Sequence, residues 1–126
     1  MNSIESEIRT TPEKVYTAWL NSEKHSLMTG GAKAVIQEEN GFDFEAWDGY
    51  ITGRIIELIP QWKIVMRWRT SEFEENQPDS IVTVEFEESD MGCLLILTHE
   101  NLPAQDIEKY KNGWKEYYFN PMKSYF

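Results

Sequence analysis

His25, His99 and Cys93 are the side chains here best suited to acid–base or nucleophilic work, and none lies in an activation motif. No His-x-x-x-His, Cys-x-x-Cys or Glu-x-x-His spacing occurs, so a metal site has little support and no cofactor is implied. His99 keeps phase with Cys93, Leu95 and Leu97 along an apolar strand, so its ring is expected to point inward. In that position it reads either as a satisfied core histidine or as an acid–base group in a cavity. The catalytic reading needs a partner, and the candidates are Tyr117, Tyr118 and Cys93. Cys93 itself reads as a buried, inert thiol. No Gly-x-Ser-x-Gly elbow, phosphate loop or dinucleotide fingerprint is present, and Thr29-Gly30-Gly31 reads as a plain turn.

A second group is aromatic: Trp68, Trp114, Tyr117 and Tyr118. These rings can fill a core or line a cavity. A curved sheet and a single helix cannot interdigitate fully, and the unfilled remainder is an apolar, ligand-sized space. So many large rings push toward filling it, which predicts a small, narrow cavity. Its candidate lining is the inward-phased set Met66, Trp68, Val84, Leu95, Leu97 and His99, with Trp114, Tyr117 and Tyr118 from the last helix.

The elements that must hold these residues follow from the pattern. Ser3–Ile8 reads as an edge or crossover strand. Thr11-Pro12-Glu13 starts a helix: Thr11 can cap, Pro12 suits the first helical position and Glu13 sits near the positive dipole end. Val15, Ala18 and Trp19 share its inner face. Ser22 is the candidate cap of a second short helix ending by Gly30-Gly31. Asn40-Gly41 signals a two-residue hairpin between Ala34–Ile36 and Phe42–Phe44, and Asp48-Gly49 signals another. Strands follow over Tyr50–Ile59, Trp62–Arg69, Ile81–Glu87 and Cys93–His99, with Ile64, Met66, Trp68, Val82 and Val84 on one face. Arg67 and Arg69 point outward, and Arg54 is expected to form a surface ion pair.

The last helix covers about Pro103 to Tyr125. Its stripe is Tyr110, Trp114, then Tyr117 or Tyr118, with Met122 and Tyr125 further along. Gly113 inside it costs about 1 kcal/mol against alanine, which predicts close approach of a neighbouring backbone or ring. Asn120-Pro121 is expected to kink or fray it. The fold class is α+β: a strand, two short helices, a six-stranded antiparallel meander and a long C-terminal helix.

Composition narrows the function classes. A chain of 126 residues with 40% hydrophobic content is one domain with a real core. The net charge of −10 argues against nucleic acid, which needs a concentrated basic face. The acid is dispersed except for Glu72, Glu74, Glu75 and Asp79, a solvated loop or a docking surface for a basic partner. A lone cysteine forms no internal disulfide and favours a reducing compartment. Met1–Thr10 lacks the apolar core of a signal peptide, and no stretch nears 18 uninterrupted apolar residues. A cytoplasmic protein without membrane association is expected, as monomer or homodimer.

Five segments in order resemble one family. Thr10–Tyr16 is similar to its opening helix. Gly49–Pro60 is similar to its G-x-x-x-G-x-hydrophobic-x-x-hydrophobic-x-Pro strand. Trp62–Arg69 resembles its strand ending in Trp-Arg, and Thr98–Pro103 and Gly113-Trp114 resemble its closing pattern. This is the family of the activator of the heat-shock protein 90 ATPase, within the START-like, SRPBCC helix-grip superfamily. The segments Trp114–Phe119 and Met122-Lys123 resemble the C-terminal domain of the eukaryotic co-chaperone. Stand-alone members commonly carry a Trp-Trp pair where this chain reads His25-Ser26-Leu27-Met28-Thr29. The resemblance implies one helix-grip domain over residues 1–126 and a non-enzymatic binding role. The implied partners are a heat-shock protein 90 type chaperone and an apolar small molecule. Nothing in the chain resembles the co-chaperone's N-terminal domain, so weak or no ATPase stimulation is expected. The superfamily also implies a carrier of lipids or aromatic metabolites, or a cyclase or hydrolase using His99.

Overall fold

A computed structural model describes residues 2–126. The chain runs β1 (Asn2–Ile8), α1 (Pro12–Trp19), α2 (Ser22–Met28), β2 (Asp43–Ala46), β3 (Ile51–Ile59), β4 (Lys63–Thr70), β5 (Ser80–Ser89) and β6 (Gly92–Glu100). A C-terminal helix follows in pieces: a 3₁₀ turn (Ala104–Asp106), α3 (Ile107–Trp114), a π turn (Lys115–Phe119) and α4 (Asn120–Tyr125). All strands pair antiparallel in the order β1-β6-β5-β4-β3-β2, so β1 is an edge strand beside β6. The helices lie on one face of the sheet, the helix-grip arrangement that the resemblance implies.

Strand alternation sets the core. Ile64, Met66 and Trp68 of β4, Val82, Val84 and Phe86 of β5, and Cys93, Leu95, Leu97 and His99 of β6 are all buried. Val15, Tyr16, Ala18 and Trp19 of α1 close over them. The Thr11 hydroxyl accepts from the Lys14 N–H, the expected cap. Arg54 pairs with Asp43 on the open face, as a surface ion pair should.

Three local readings differ. The cap of α2 is Asn21, whose side chain accepts from the Lys24 N–H. Ser22 instead turns its hydroxyl to Ile36, donating to its carbonyl at 2.9 Å and accepting from its N–H at 2.9 Å. Ser26 likewise accepts from the Ala34 N–H. That explains the second difference: Ala34–Ile36 is not a strand. It spends its backbone groups on α2 and keeps one bridge, between Val35 and Glu45. The six strands are therefore β1 plus a five-strand meander. Third, the C-terminal helix passes Pro121 without a break. Proline has no N–H and its ring crowds the carbonyl four residues back; the π turn just before it opens the helix and absorbs that misfit.

Two glycines of the family pattern have separate causes. Gly49 holds φ +88° in the β2–β3 turn, behind Trp47 and Asp48, which are also left-handed. Gly53 lies under the Phe44 ring, and a Cβ there would meet the Arg67 carbonyl oxygen at 2.0 Å.

Candidate functional site

The C-terminal helix is anchored by three rings in successive turns, Tyr110, Trp114 and Tyr118, all buried. Each makes one side-chain hydrogen bond, and each to a different element. Tyr110 Oη meets Thr70 Oγ1 of β4 at 2.8 Å. Trp114 Nε1 donates to His99 Nδ1 of β6 at 3.0 Å. Tyr118 Oη lies 2.8 Å from His25 Nε2 of α2.

These contacts fix both histidines. An indole N–H can only donate, so His99 Nδ1 is an acceptor and the ring proton sits on Nε2. That proton goes to Ser80 Oγ at 2.8 Å, whose hydroxyl donates to the Trp68 carbonyl at 2.7 Å. In His25 the order is reversed. Nδ1 faces the Trp19 carbonyl at 2.7 Å and must carry the proton, so Nε2 accepts from Tyr118. Burial disfavours the charged form of both rings, lowering each to about 4 although the Trp19 carbonyl pulls His25 partly back up. Burial also raises the Tyr118 hydroxyl. Both rings are therefore neutral near pH 7, with both nitrogens engaged. Cys93 is buried, and burial pushes its thiol up to about 11. Among the described residues, no three His, Cys, Asp or Glu side chains are grouped to hold a metal ion.

The same three rings, with Gly113, Glu116 and Tyr117 beside them, border an open cleft of about 590 Å³. Trp68 and Ile51 of the sheet and Tyr110, Trp114 and Tyr118 of the helix form its floor, each only 3–7% exposed, and Trp47, Tyr50 and Tyr117 also line it. Two contacts join the helix to the turns after β2 and β4 at the cleft. Trp47 and Tyr117 meet edge to face, with centroids 5.3 Å apart. Glu72 takes one bond from Lys109 Nζ at 2.5 Å and another from the Tyr50 hydroxyl. The Lys109 ammonium, then the Tyr50 hydroxyl, hold the Glu72 carboxyl below its ordinary range. The Glu72 carboxylate in turn raises Lys109.

The residues singled out from sequence divide between these regions. Trp68, Trp114, Tyr117 and Tyr118 line the cleft. Met66, Val84 and Leu95 are sealed in the core at 0–1% exposure. Leu97 and His99 border a separate void of about 10 Å³, room for one water at most. Tyr117 and Tyr125 stand off the buried stripe, 51% and 41% exposed, while Phe119 is drawn into the core by the π turn. The cleft is wider than the ring count suggested, because the rings stand around the gap instead of filling it. Gly113 contributes to that. The nearest atom to a Cβ there would be Tyr117 Cδ2 at 4.0 Å, so no neighbour presses on it and the wall is simply recessed. Trp47, Tyr50, Glu72 and Lys109 were not legible as a set, since they come from two turns and a helix. The left-handed Trp47 beside Asp48-Gly49 is the one local signal.

Comparison with known proteins adds lineage to this geometry. Residues 9–126 match the family described as Activator of Hsp90 ATPase homolog 1-like protein. The chain is similar to human Activator of 90 kDa heat shock protein ATPase homolog 1, with 29% identity over 117 residues, covering 93% of this chain and 34% of that protein. It is also similar to the Dictyostelium discoideum Activator of 90 kDa heat shock protein ATPase homolog, 25% identical across 98% of this chain and 32% of that one. The chain thus spans about a third of these curated relatives. Among solved structures it resembles an HSP90 activator from Plasmodium falciparum, with TM-score 0.87 and 27% identity over 98% of this chain and 93% of that chain. A Mesorhizobium loti protein aligns with TM-score 0.81 at 17% identity over 98% and 93% of the two chains, a likeness of fold. No helix among the described residues is long and apolar enough to cross a membrane.

Proposed function

The chain belongs to the Activator of Hsp90 ATPase homolog 1-like family, and from that premise we propose that it is a binding domain that engages a heat-shock protein 90 type chaperone and performs no covalent chemistry of its own. One observation supports the non-enzymatic half: the two histidines and the thiol, the groups best suited to acid–base or nucleophilic work, are already engaged or buried. His25 and His99 use both ring nitrogens on internal partners, and Cys93 is buried with its thiol raised. A general base needs a free lone pair within reach of a substrate proton. The chaperone half is supported by relatives named as activators of that ATPase. A reducing cytoplasm suits the single, unpaired Cys93.

Titration calorimetry of the purified protein into a heat-shock protein 90 type chaperone tests this. We expect a saturable complex and less than several-fold stimulation of ATP hydrolysis. Absence of any complex would refute the partner. A turnover by the protein alone that disappears in His99→Gln would refute the non-enzymatic reading.

A second reading rests on the cleft. Its volume lies inside the range of small-molecule sites, and its surface is mostly aromatic. We propose that it holds an apolar small molecule. A bound compound should raise the melting temperature with the logarithm of its concentration. Native mass spectrometry of freshly purified protein would report such a ligand and the subunit count together.

A further inference from the structure

The chemistry of the cleft is more selective than its volume. Glu72, Glu116 and Lys109 are its ionisable lining groups apart from tyrosines, so carboxylates outnumber ammonium groups two to one. The remaining surface is dominated by aromatic rings, whose faces attract cations. The molecule around it carries a net charge of −10, which concentrates cations near the surface. The cleft already holds one cation of its own: Lys109 Nζ lies 5.3 Å from the Tyr110 ring centroid and is bonded to Glu72. The second Glu72 oxygen is aligned by the Tyr50 hydroxyl. A carboxylate steadied by a phenol, beside an aromatic face, is a receptor for an ammonium group.

We propose that the cleft binds a small organic cation bearing an apolar chain or ring, its charged end replacing the Lys109 ammonium between Glu72 and Tyr110. This rests on the reading of the cleft as a small-molecule site and adds the ligand class. Lys109 is half-exposed on a flexible stem, so it can swing into water when displaced. The apolar part then lies between Trp47 and Tyr117, above the edges of Trp68 and Trp114 and over the recess that Gly113 leaves open.

The test uses three ten-carbon probes: decyltrimethylammonium and decanoate below their micelle concentrations, and decanol below its solubility limit. Binding is read from tryptophan fluorescence, since three of the five tryptophans line the cleft. We expect the cation to bind about tenfold more tightly than the other two. Glu72→Gln should erase that preference, and Lys109→Met should sharpen it several-fold by freeing the carboxylate. Gly113→Leu should abolish binding of all probes; its side chain has room in the cleft, so the helix is kept, and circular dichroism verifies that. Decanoate or decanol binding as well as the cation overturns the cation proposal and leaves the small-molecule reading standing. No binding by any probe, or full binding in Gly113→Leu, removes both.

Discussion

The C-terminal helix has two sides that solve the same problem by opposite means. On one side Trp114 and Tyr118 hold His99 and His25 through neutral hydrogen bonds, dry and buried at 2–4% exposure. On the other, Lys109 and Tyr117 meet Glu72 and Trp47 at a rim open to water. An unmatched group in a buried contact costs about 1–3 kcal/mol, and the groups that join Trp114 to His99 and Tyr118 to His25 are all matched. A rim contact is forgiving, because water can replace either partner. The sealed side therefore fixes the fold, and the open side is free to exchange partners.

Breaking the sealed side should have the largest effect. Trp114→Ala removes a buried indole that packs on Trp19, Trp68 and Tyr118 and leaves His99 Nδ1 without a donor. We expect a loss of about 3–5 kcal/mol in urea unfolding. Acid acts on the same side. Both histidines ionise near pH 6.5 when unfolded and only near 4 when folded, so the unfolded state binds more protons in between. Stability is full above pH 6.5 and falls as the pH drops toward 4, by roughly 3 kcal/mol for each ring. A stability profile flat between pH 7 and 4.5 would contradict the burial of both. The carboxylates of Asp43 and Glu72 are held below their ordinary range, so their contribution is lost only at more acidic pH.

Changes on the open side should be small. Gly113→Ala fills nothing essential and lowers the helix entropy cost, so a gain of about 0.4–1 kcal/mol is expected from thermal melting. Lys109→Met removes one exposed ion pair and should shift stability by less than about 1 kcal/mol. If Lys109→Met destabilised the protein as much as Trp114→Ala, the contrast between the two sides would be wrong.

Much of the sheet was legible because unbroken strands keep their phase: Met66, Val84 and Leu95 are inward by alternation alone, whereas β3 loses its alternation at a register shift between Ile55 and Glu57. Ala34–Ile36 misled because Val35-Ile36 resembles a strand, while the hydroxyls of Ser22 and Ser26 supply partners that no local pattern reveals. Gly113 misled in a similar way. A helical glycine usually marks close packing, and here it borders empty space. The choice between Tyr117 and Tyr118 depended on the π turn. One added residue in that turn rotates Tyr118 and Phe119 inward together and leaves Tyr117 at the rim.

By itself the sequence determined the two short helices, the strands from β3 to β6 and the closing helix in their order, the inward faces of β4, β5 and β6, and Tyr110 and Trp114 as inward rings, because these are set by spacing along the chain. Only the tertiary structure decided the tautomers of His25 and His99 and the meeting of Glu72 with Tyr50 and Lys109. It also decided that the aromatic rings border an open cleft. Those depend on distances between residues far apart in the chain, and periodicity carries no information about such distances.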